Sequence, residues 1–146
     1  MLKVRDVMTN EFVSVSRSVS IFEVAQKMKN SGTRAVPVCD NGKLRGIITE
    51  KDIVTGIADI AGNISNLPVR VLMNNHHPIV SPGEEIFQAA KMMVNNDVRE
   101  LPVAQNGKFL GLFTLDDLAR ESIALAAMVF AKTARLRITK EDIRRE

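Results

Sequence analysis

Two stretches of the chain carry apolar residues three and four positions apart, the spacing that places side chains on one face of an α-helix. The two sets are Ile21, Val24, Ala25 and Met28, and then Ile86, Ala89, Ala90 and Met93. A short apolar segment precedes each helix, at residues 13–16 and 78–81, and another follows it, at residues 35–39 and 100–104. These segments predict strands. The pattern therefore predicts strand, helix and strand, twice in succession.

Each strand after the first helix leads into an Asn-Gly pair, at residues 41–42 and 106–107. Such pairs predict two-residue hairpin turns, because these turns need positive φ at both central residues. Pro37 and Pro102 lie inside the strands and lack a ladder donor, so edge or irregular strands are expected. The remaining predicted elements are returning strands at 44–48 and 109–113, second helices from near Glu50 and Leu115, and a connection over residues 55–68.

The pattern recurs because the chain contains a repeat. A shift of 65 positions aligns residues 4–54 with residues 69–119 without a gap, and 20 of the 51 aligned positions are identical. Chance does not align an Asn-Gly-Lys, a Gly, a Thr and an Asp at one offset. Each copy predicts a βαββα unit of an α+β fold. Because each copy is small, we expect the two to share one core.

The repeat divides the chain into a first unit at residues 1–62, a second unit at 63–125 and a C-terminal extension at 126–146. Residues 123–131 are apolar on all faces, unlike a helix on the surface of a monomer. We expect this stretch to be buried within the chain or to meet a second subunit, and we favour a two-fold homodimer.

Composition limits the available chemistry. The chain has six Phe but no Trp or Tyr, which excludes the usual aromatic platforms for stacking bases. One Cys and two adjacent His exclude a disulfide scaffold and a zinc site with several ligands. Cys39 is expected to be a small buried residue, and His76 and His77 to be capping or solvated loop residues. No nucleophile is paired with a base, so we expect neither an enzyme nor a metal site.

The net charge of +3 comes from the end of the chain. Residues 1–131 hold fourteen basic and fourteen acidic side chains, whereas residues 132–146 hold six and three. A solvated terminus explains this excess, so nucleic-acid binding is not favoured. No apolar segment follows a charged start, and the longest apolar stretch has nine residues, where a bilayer needs about 20. We expect no signal peptide, no membrane segment and a cytoplasmic location.

Residues 46–52 and 111–117 both read Gly-x-x-Thr-x-x-Asp, and in each the Thr stands at the predicted start of a helix. As a structural motif, the Thr is an N-cap and the Asp favours the positive end of the helix. As a functional motif, the Asp accepts ribose hydroxyls, while the Thr and the free N–H groups suit a phosphate. The two interpretations are compatible.

The repeated motifs together resemble a tandem pair of CBS domains, the cystathionine β-synthase type of regulatory module, over residues 4–120. The resemblance rests on the openings Val-Arg-Asp-Val-Met-Thr and Val-Arg-Val-Leu-Met-Asn, on Arg-Ala-Val-Pro-Val and Arg-Glu-Leu-Pro-Val, and on the hairpin and Thr-x-x-Asp motifs. It implies a stand-alone Bateman-type module, in which two βαββα units pack through their sheets with pseudo-two-fold symmetry. Such modules commonly dimerise.

The resemblance also implies an adenosine-containing ligand, namely AMP, ADP, ATP or S-adenosylmethionine, in clefts between the units. It assigns the ribose contact to Asp52 and Asp117, with help from Thr49 and Thr114. The other implied contacts are backbone groups of Ala35, Val36, Pro37, Glu100, Leu101 and Pro102, the polar Ser14 with its counterpart Ile79, and, for phosphates, Arg5, Arg34, Arg70 and Arg99.

The second copy departs from the family pattern at two positions. Ile79 replaces the polar Ser14, and the carboxylate of Glu100 would repel phosphates near the cleft. We therefore expect the site around Thr49 and Asp52 to bind better than its counterpart.

Three functions follow from the sequence. The first is a regulatory module whose ligand shifts the relative orientation of the two units, which a partner protein reads. The second is a dimeric interaction subunit that needs no ligand. The third is nucleic-acid association through residues 132–146, which predicts steep salt dependence.

Overall fold

The computed structural model describes residues 1–10 and 12–134, so most of the predicted basic tail lies outside the described residues. The helices are α1 (Val4–Val7), α2 (Ile21–Ser31), α3 (Glu50–Ile60), α4 (Ile86–Asn96), α5 (Leu115–Glu121) and α6 (Ile123–Thr133), with a 3-10 turn at Val69–Val71. The strands are β1 (Ala35–Asp40), β2 (Lys43–Thr49), β3 (Glu100–Gln105) and β4 (Lys108–Thr114). The predicted α+β fold is confirmed.

Strands β1–β2 and β3–β4 form two antiparallel hairpins. At their turns the two Asn residues have φ of 52° and 54° and the two Gly residues 77° and 80°, which confirms the predicted turn conformation. The hairpins meet where Lys43 pairs with Lys108, giving the strand order β1-β2-β4-β3. Apolar side chains of both hairpins, among them Ile47 and Phe109, pack in one cluster between the units.

Strands β1 and β3 are the edges of this sheet, and the register of each shifts shortly after its proline, Pro37 or Pro102. The expectation of edge or irregular strands is confirmed. The strands predicted before the first helices, at residues 13–16 and 78–81, are wrong. Each segment forms only one isolated parallel bridge, through Val15 or Val80, because the chain turns away two residues later in both copies.

The opening segment of each copy packs on the other copy. Val4 is fully buried among residues of the second copy, beside Phe113, and Val69 is fully buried among residues of the first, beside Ile48. The repeat boundary at residue 62 therefore describes the duplication and not the packing, because the two copies exchange their openings.

Backbone hydrogen bonds fix this exchange on both sides. The N–H of Thr9 donates to the carbonyl of Leu112 on β4 at 2.8 Å. In the same way, the N–H of Asn74 donates to the carbonyl of Ile47 on β2 at 2.8 Å. Each opening thus runs beside the strand that leads into a Thr-x-x-Asp motif.

The connection between the copies is shorter than predicted, because α3 continues to Ile60 instead of ending near residue 55. Gly56 does not interrupt the helix. It lies under Leu72, where a Cβ atom would be 2.6 Å from a side-chain carbon of Leu72. A larger residue at this position would therefore require the side chain of Leu72 to move.

Helix α6 packs along α4 and α5, with Ala126 and Val129 buried. Its other side is open, since Ile123 is 80% exposed and Phe130 is 49% exposed. Burial within the chain, one of the two locations expected for this apolar stretch, thus explains one face of the helix. The other face remains apolar and exposed.

Candidate ligand-binding cavities

Both Thr-x-x-Asp motifs form reciprocal N-caps. In α3, Oγ1 of Thr49 accepts a hydrogen bond from the N–H of Asp52 at 3.3 Å, while Oδ2 of Asp52 accepts from the N–H and hydroxyl of Thr49 at 2.9 and 3.0 Å. Thr114 and Asp117 repeat this arrangement at the start of α5. The N-cap prediction is confirmed, and each cap holds a carboxylate at the positive end of a helix.

Asp52 faces a cavity of about 700 Å³ that lies between the two copies. The first copy contributes Arg34 and Asp52 to its walls, and the second contributes His77, Arg99 and Glu100. The exchange of openings explains this mixture, because it brings the loop after Asn74 next to β2 and α3. A ligand in this cavity would contact both copies.

The two oxygens of the Asp52 carboxylate have different roles. Oδ2 accepts both cap hydrogen bonds. Oδ1 has no hydrogen-bond partner among the described residues and is not a buried atom. It is therefore available to accept a hydrogen bond from a ligand, as a ribose hydroxyl would donate.

His77 and Glu100 form a buried pair in the same cavity. Nε2 of His77 is 2.9 Å from the backbone oxygen of Glu100 and 4.0 Å from its Oε1, and the two side chains are 6% and 19% exposed. Burial lowers the pKa of His77. Burial raises the pKa of Glu100 to about 7, with the charge of Asp52 adding to the rise and Arg99 opposing it.

Helix α6 holds Arg99 at the wall of the cavity. The Nε–H of Arg99 donates to Oγ1 of Thr133 at 2.8 Å, and its guanidinium lies 4.8 Å from the ring centroid of Phe130. Thr133 lines the Asp52 cavity, and Phe130 lines an adjoining cavity of about 410 Å³ that also contains Arg34 and Arg99. The C-terminal helix therefore reaches the candidate site.

Asp117 faces a second cavity of about 430 Å³, whose walls include Thr9 and Thr33 of the first copy. Asp117 as a whole is 2% exposed. Oδ1 accepts hydrogen bonds from the hydroxyl of Thr9 at 2.9 Å and from Nη1 of Arg120 at 2.8 Å, and Oδ2 takes the cap bonds. Both oxygens of Asp117 are therefore already engaged within the protein, whereas only Oδ2 of Asp52 is.

The structure brings only part of the predicted site together. The predicted residues that line the three cavities are Arg34, Thr49, Asp52, Arg99 and Glu100 in the first, Thr114 and Asp117 in the second, and Ala35 in the adjoining one. Those that line none of the three are Ser14, Val36, Pro37, Ile79, Leu101, Pro102, Arg5 and Arg70. The expected contacts between a ligand and the backbone groups of β1 or β3 stay predictions.

One expectation about an individual residue is wrong, and another stays a prediction. The expected weakening of the second site by Glu100 stays a prediction, since Glu100 lines the adjoining cavity together with Thr114 as well as the cavity of Asp52. His77 was expected to be a capping or solvated loop residue, but its side chain is almost fully buried in that cavity. No local signal identifies either location, because both depend on the exchange of openings between the copies.

The other features of the described part of the chain are the Cys39 thiol, the lack of a metal-ligand cluster and the lack of a membrane-crossing helix. Cys39 is partly buried, and burial together with Asp40 raises the pKa of its thiol to about 11. Residues 1–10 and 12–134 contain no cluster of three or more His, Cys, Asp or Glu side chains placed to hold a metal ion. Within the same residues, no helix has the length and apolar character needed to cross a membrane.

The model of the CBS domain family matches this chain twice, over residues 4–59 and 62–124. The chain therefore belongs to the CBS domain family and carries two tandem copies of the domain. It is 30% identical over 119 residues to the CBS domain-containing protein YhcV of Bacillus subtilis, a match that covers 82% of this chain and 84% of that protein.

Solved structures share the fold. The CBS domain protein TA0289 of unknown function from Thermoplasma acidophilum matches with a TM-score of 0.82 at 22% identity, over 92% of this chain and 77% of that one. The CBS domain pair of protein MJ0100, in complex with 5′-methylthioadenosine and S-adenosyl-L-methionine, matches with a TM-score of 0.74 at 23% identity, over 82% and 94%. The predicted tandem CBS fold is confirmed.

Proposed function

We propose that this protein is a regulatory module, not an enzyme, that binds an adenosine-containing ligand in the cavity around Asp52. The observation that carries the proposal is the open Oδ1 of Asp52, held at the start of α3 by the N-cap with Thr49. A fixed carboxylate with one free oxygen suits the vicinal hydroxyls of a ribose. The complex of the MJ0100 domain pair with two adenosine ligands supports the same ligand class.

The mixed walls of the cavity supply a route for a signal. Asp52 belongs to the first copy, whereas His77 and Glu100 belong to the second. A ligand that contacts both favours the relative orientation of the copies to which it binds more tightly, and it shifts the population towards that orientation. A partner protein that recognises this orientation would then sense the ligand.

We propose the Asp52 cavity as the better of the two sites, for a reason different from the one the sequence suggested. Both oxygens of Asp117 are engaged, by Thr9 and Arg120 on one side and by the cap on the other. A ribose there would have to displace an existing hydrogen bond, which costs free energy.

A thermal-shift panel with AMP, ADP, ATP, S-adenosylmethionine and NADH tests the proposed function. A ligand at about 100 times its Kd stabilises the folded state by roughly 2.7 kcal/mol, which gives a clear rise in Tm. We expect at least one adenosine ligand to raise Tm. A flat response to every compound would contradict the proposal.

The second candidate is a dimeric interaction subunit that needs no ligand. The exposed apolar face of α6, with Ile123 80% exposed, favours it. It predicts a stable dimer together with a flat thermal-shift panel, whereas the ligand-binding module predicts a response. The panel therefore separates the two candidates.

A further inference from the structure

The Asp52 cavity lacks the excess of positive charge that a phosphate site usually has. Three cationic and four acidic side chains line it. They are Arg34, Lys51 and Arg99, and then Glu50, Asp52, Asp97 and Glu100. The formal charge of the lining is therefore −1 when Glu100 is ionised and zero when Glu100 is protonated, since His77 is neutral near pH 7. The protonation of the Glu100 carboxyl group thus decides whether the cavity lining carries a net negative charge.

Among residues 1–10 and 12–134, Glu100 forms no ion pair with an arginine or lysine, and the charge of Arg99 only partly offsets the effects that raise the pKa of Glu100. The basic group paired with its carboxylate is the buried ring of His77, whose Nε2 lies 4.0 Å from Oε1 of Glu100. The adjacent Arg99 is bound by Thr133 and Phe130 instead. The Glu100 carboxylate therefore acts on whatever occupies the cavity, together with that of Asp52.

We propose that Glu100 selects the charge of the ligand in the Asp52 cavity. When Glu100 is ionised, the cavity favours a neutral or cationic adenosine ligand, such as a sulfonium nucleoside, over a nucleotide with phosphate groups. When Glu100 takes up a proton, the affinity of the cavity for the nucleotide with phosphate groups rises relative to its affinity for the neutral or cationic ligand. This inference rests on the proposed function, because it concerns the ligand class of the same site.

The protonation of Glu100 falls in a range that makes the selection measurable. Burial raises the pKa of Glu100 to about 7, with Asp52 adding to the rise and Arg99 opposing it. A phosphate favours the protonated form, so its affinity falls as pH rises through about 7. A sulfonium favours the ionised form, so its affinity rises over the same range. The charged or titratable groups that act on Glu100 are Asp52, Arg99 and the ring of His77, and the other charged groups in the cavity walls are Arg34, Glu50, Lys51 and Asp97.

Titration calorimetry with AMP and S-adenosylmethionine, on the full chain, tests the inference. The quantity compared is the ratio of the AMP affinity to the S-adenosylmethionine affinity, measured from about pH 6 to about pH 8. In the wild-type protein this ratio should fall by about tenfold, because one linked proton changes affinity at most tenfold per pH unit. Glu100→Gln should remove that fall and should raise the ratio at about pH 8 by a similar factor.

Glu23→Gln is the matched control, because it removes the same charge from an exposed position on α2 that lines none of the cavities. It should behave like the wild type. The titration of the ligands themselves affects all three proteins equally and cancels in the comparison.

The calorimetry distinguishes failure of the proposed role of Glu100 from failure of the proposed ligand-binding function. If both ligands bind but the ratio has the same pH profile in the wild type and in Glu100→Gln, the role of Glu100 is refuted and the proposed function stands. If neither ligand binds the wild type, the proposed function fails as well. Should Glu100→Gln not fold, Glu100→Ala removes the same carboxylate, and an affinity ratio with the same pH profile in Glu100→Ala and in the wild type would refute the inference.

Discussion

At the scale of single residues, the duplicated Thr-x-x-Asp motif has taken two different roles. Asp52 and Asp117 occupy equivalent positions in the repeat and form the same N-cap. Asp117 also binds Thr9 and Arg120 and is almost completely buried, whereas Oδ1 of Asp52 is free. One copy of the motif is therefore fully engaged within the protein, whereas the other leaves a carboxylate oxygen without a hydrogen-bond partner among the described residues.

This difference predicts unequal stability effects. Asp117→Ala removes buried hydrogen bonds that join α5 to Thr9 of the other copy, and should lower the free energy of unfolding by about 2–4 kcal/mol. Asp52→Ala removes only a cap, which costs about 1 kcal/mol. Urea denaturation followed by far-ultraviolet circular dichroism measures both. Equal losses in the two variants would contradict the division of roles.

At the scale of elements, the glycine of each motif allows the exchanged openings to approach. A Cβ atom on Gly111 would lie 2.6 Å from the backbone oxygen of Thr9, and one on Gly46 would lie 2.8 Å from that of Asn74. Both obstacles are backbone atoms, which cannot move away as a flexible side chain can. The two glycines therefore permit the β-bridges that build the cavities.

Gly111→Ala should accordingly destabilise the protein by about 1–3 kcal/mol, since one added methyl group forces the opening away from β4. Gly62→Ala is the matched control, because its nearest heavy atom, the oxygen of Ile60, would lie 3.9 Å from the new Cβ. Thermal denaturation of the two variants compares them. If Gly111→Ala melts at the same temperature as Gly62→Ala, the close approach has no energetic importance.

Most elements could be predicted from the sequence, because their signals are local. The Asn-Gly turns, the helix caps and the apolar helix faces all depend on neighbouring residues. The strands expected around Val15 and Val80 were wrong because short apolar segments do not show how many residues pair. The composition of the site was also hidden, since a repeat does not reveal that Val4 packs in the second copy.

At the scale of the whole molecule, the exchange of openings makes the two copies one unit with cavities between them. Val4 and Val69, each at the start of one copy, are both fully buried in the core of the other. A change in one copy therefore acts directly on the packing of the other. Such a construction suits a module whose output is the relative orientation of its halves.

The exposed apolar face of α6 bears on the oligomeric state of the molecule. We expect this face to pair with the same face of a second copy of the chain. Ile123→Glu places a charge in this apolar contact and should convert a dimer into a monomer in sedimentation velocity. Val71→Glu is the control, because Val71 is an apolar residue that is 52% exposed but lies outside α6. A wild-type protein that sediments as a monomer, or an Ile123→Glu variant that remains dimeric, would contradict this expectation.

The affinity of the Asp52→Ala variant shows whether the free oxygen of Asp52 binds an adenosine ligand. Asp59→Ala is the matched control, because it removes a carboxylate from the exposed side of the same helix, away from the cavity. Titration calorimetry with the ligand that gives the largest thermal shift should show affinity weakened about tenfold or more in Asp52→Ala, the usual effect of losing a hydrogen bond to a charged group. Asp59→Ala should bind like the wild type. Equal affinity in Asp52→Ala and Asp59→Ala would contradict a role of this oxygen in binding.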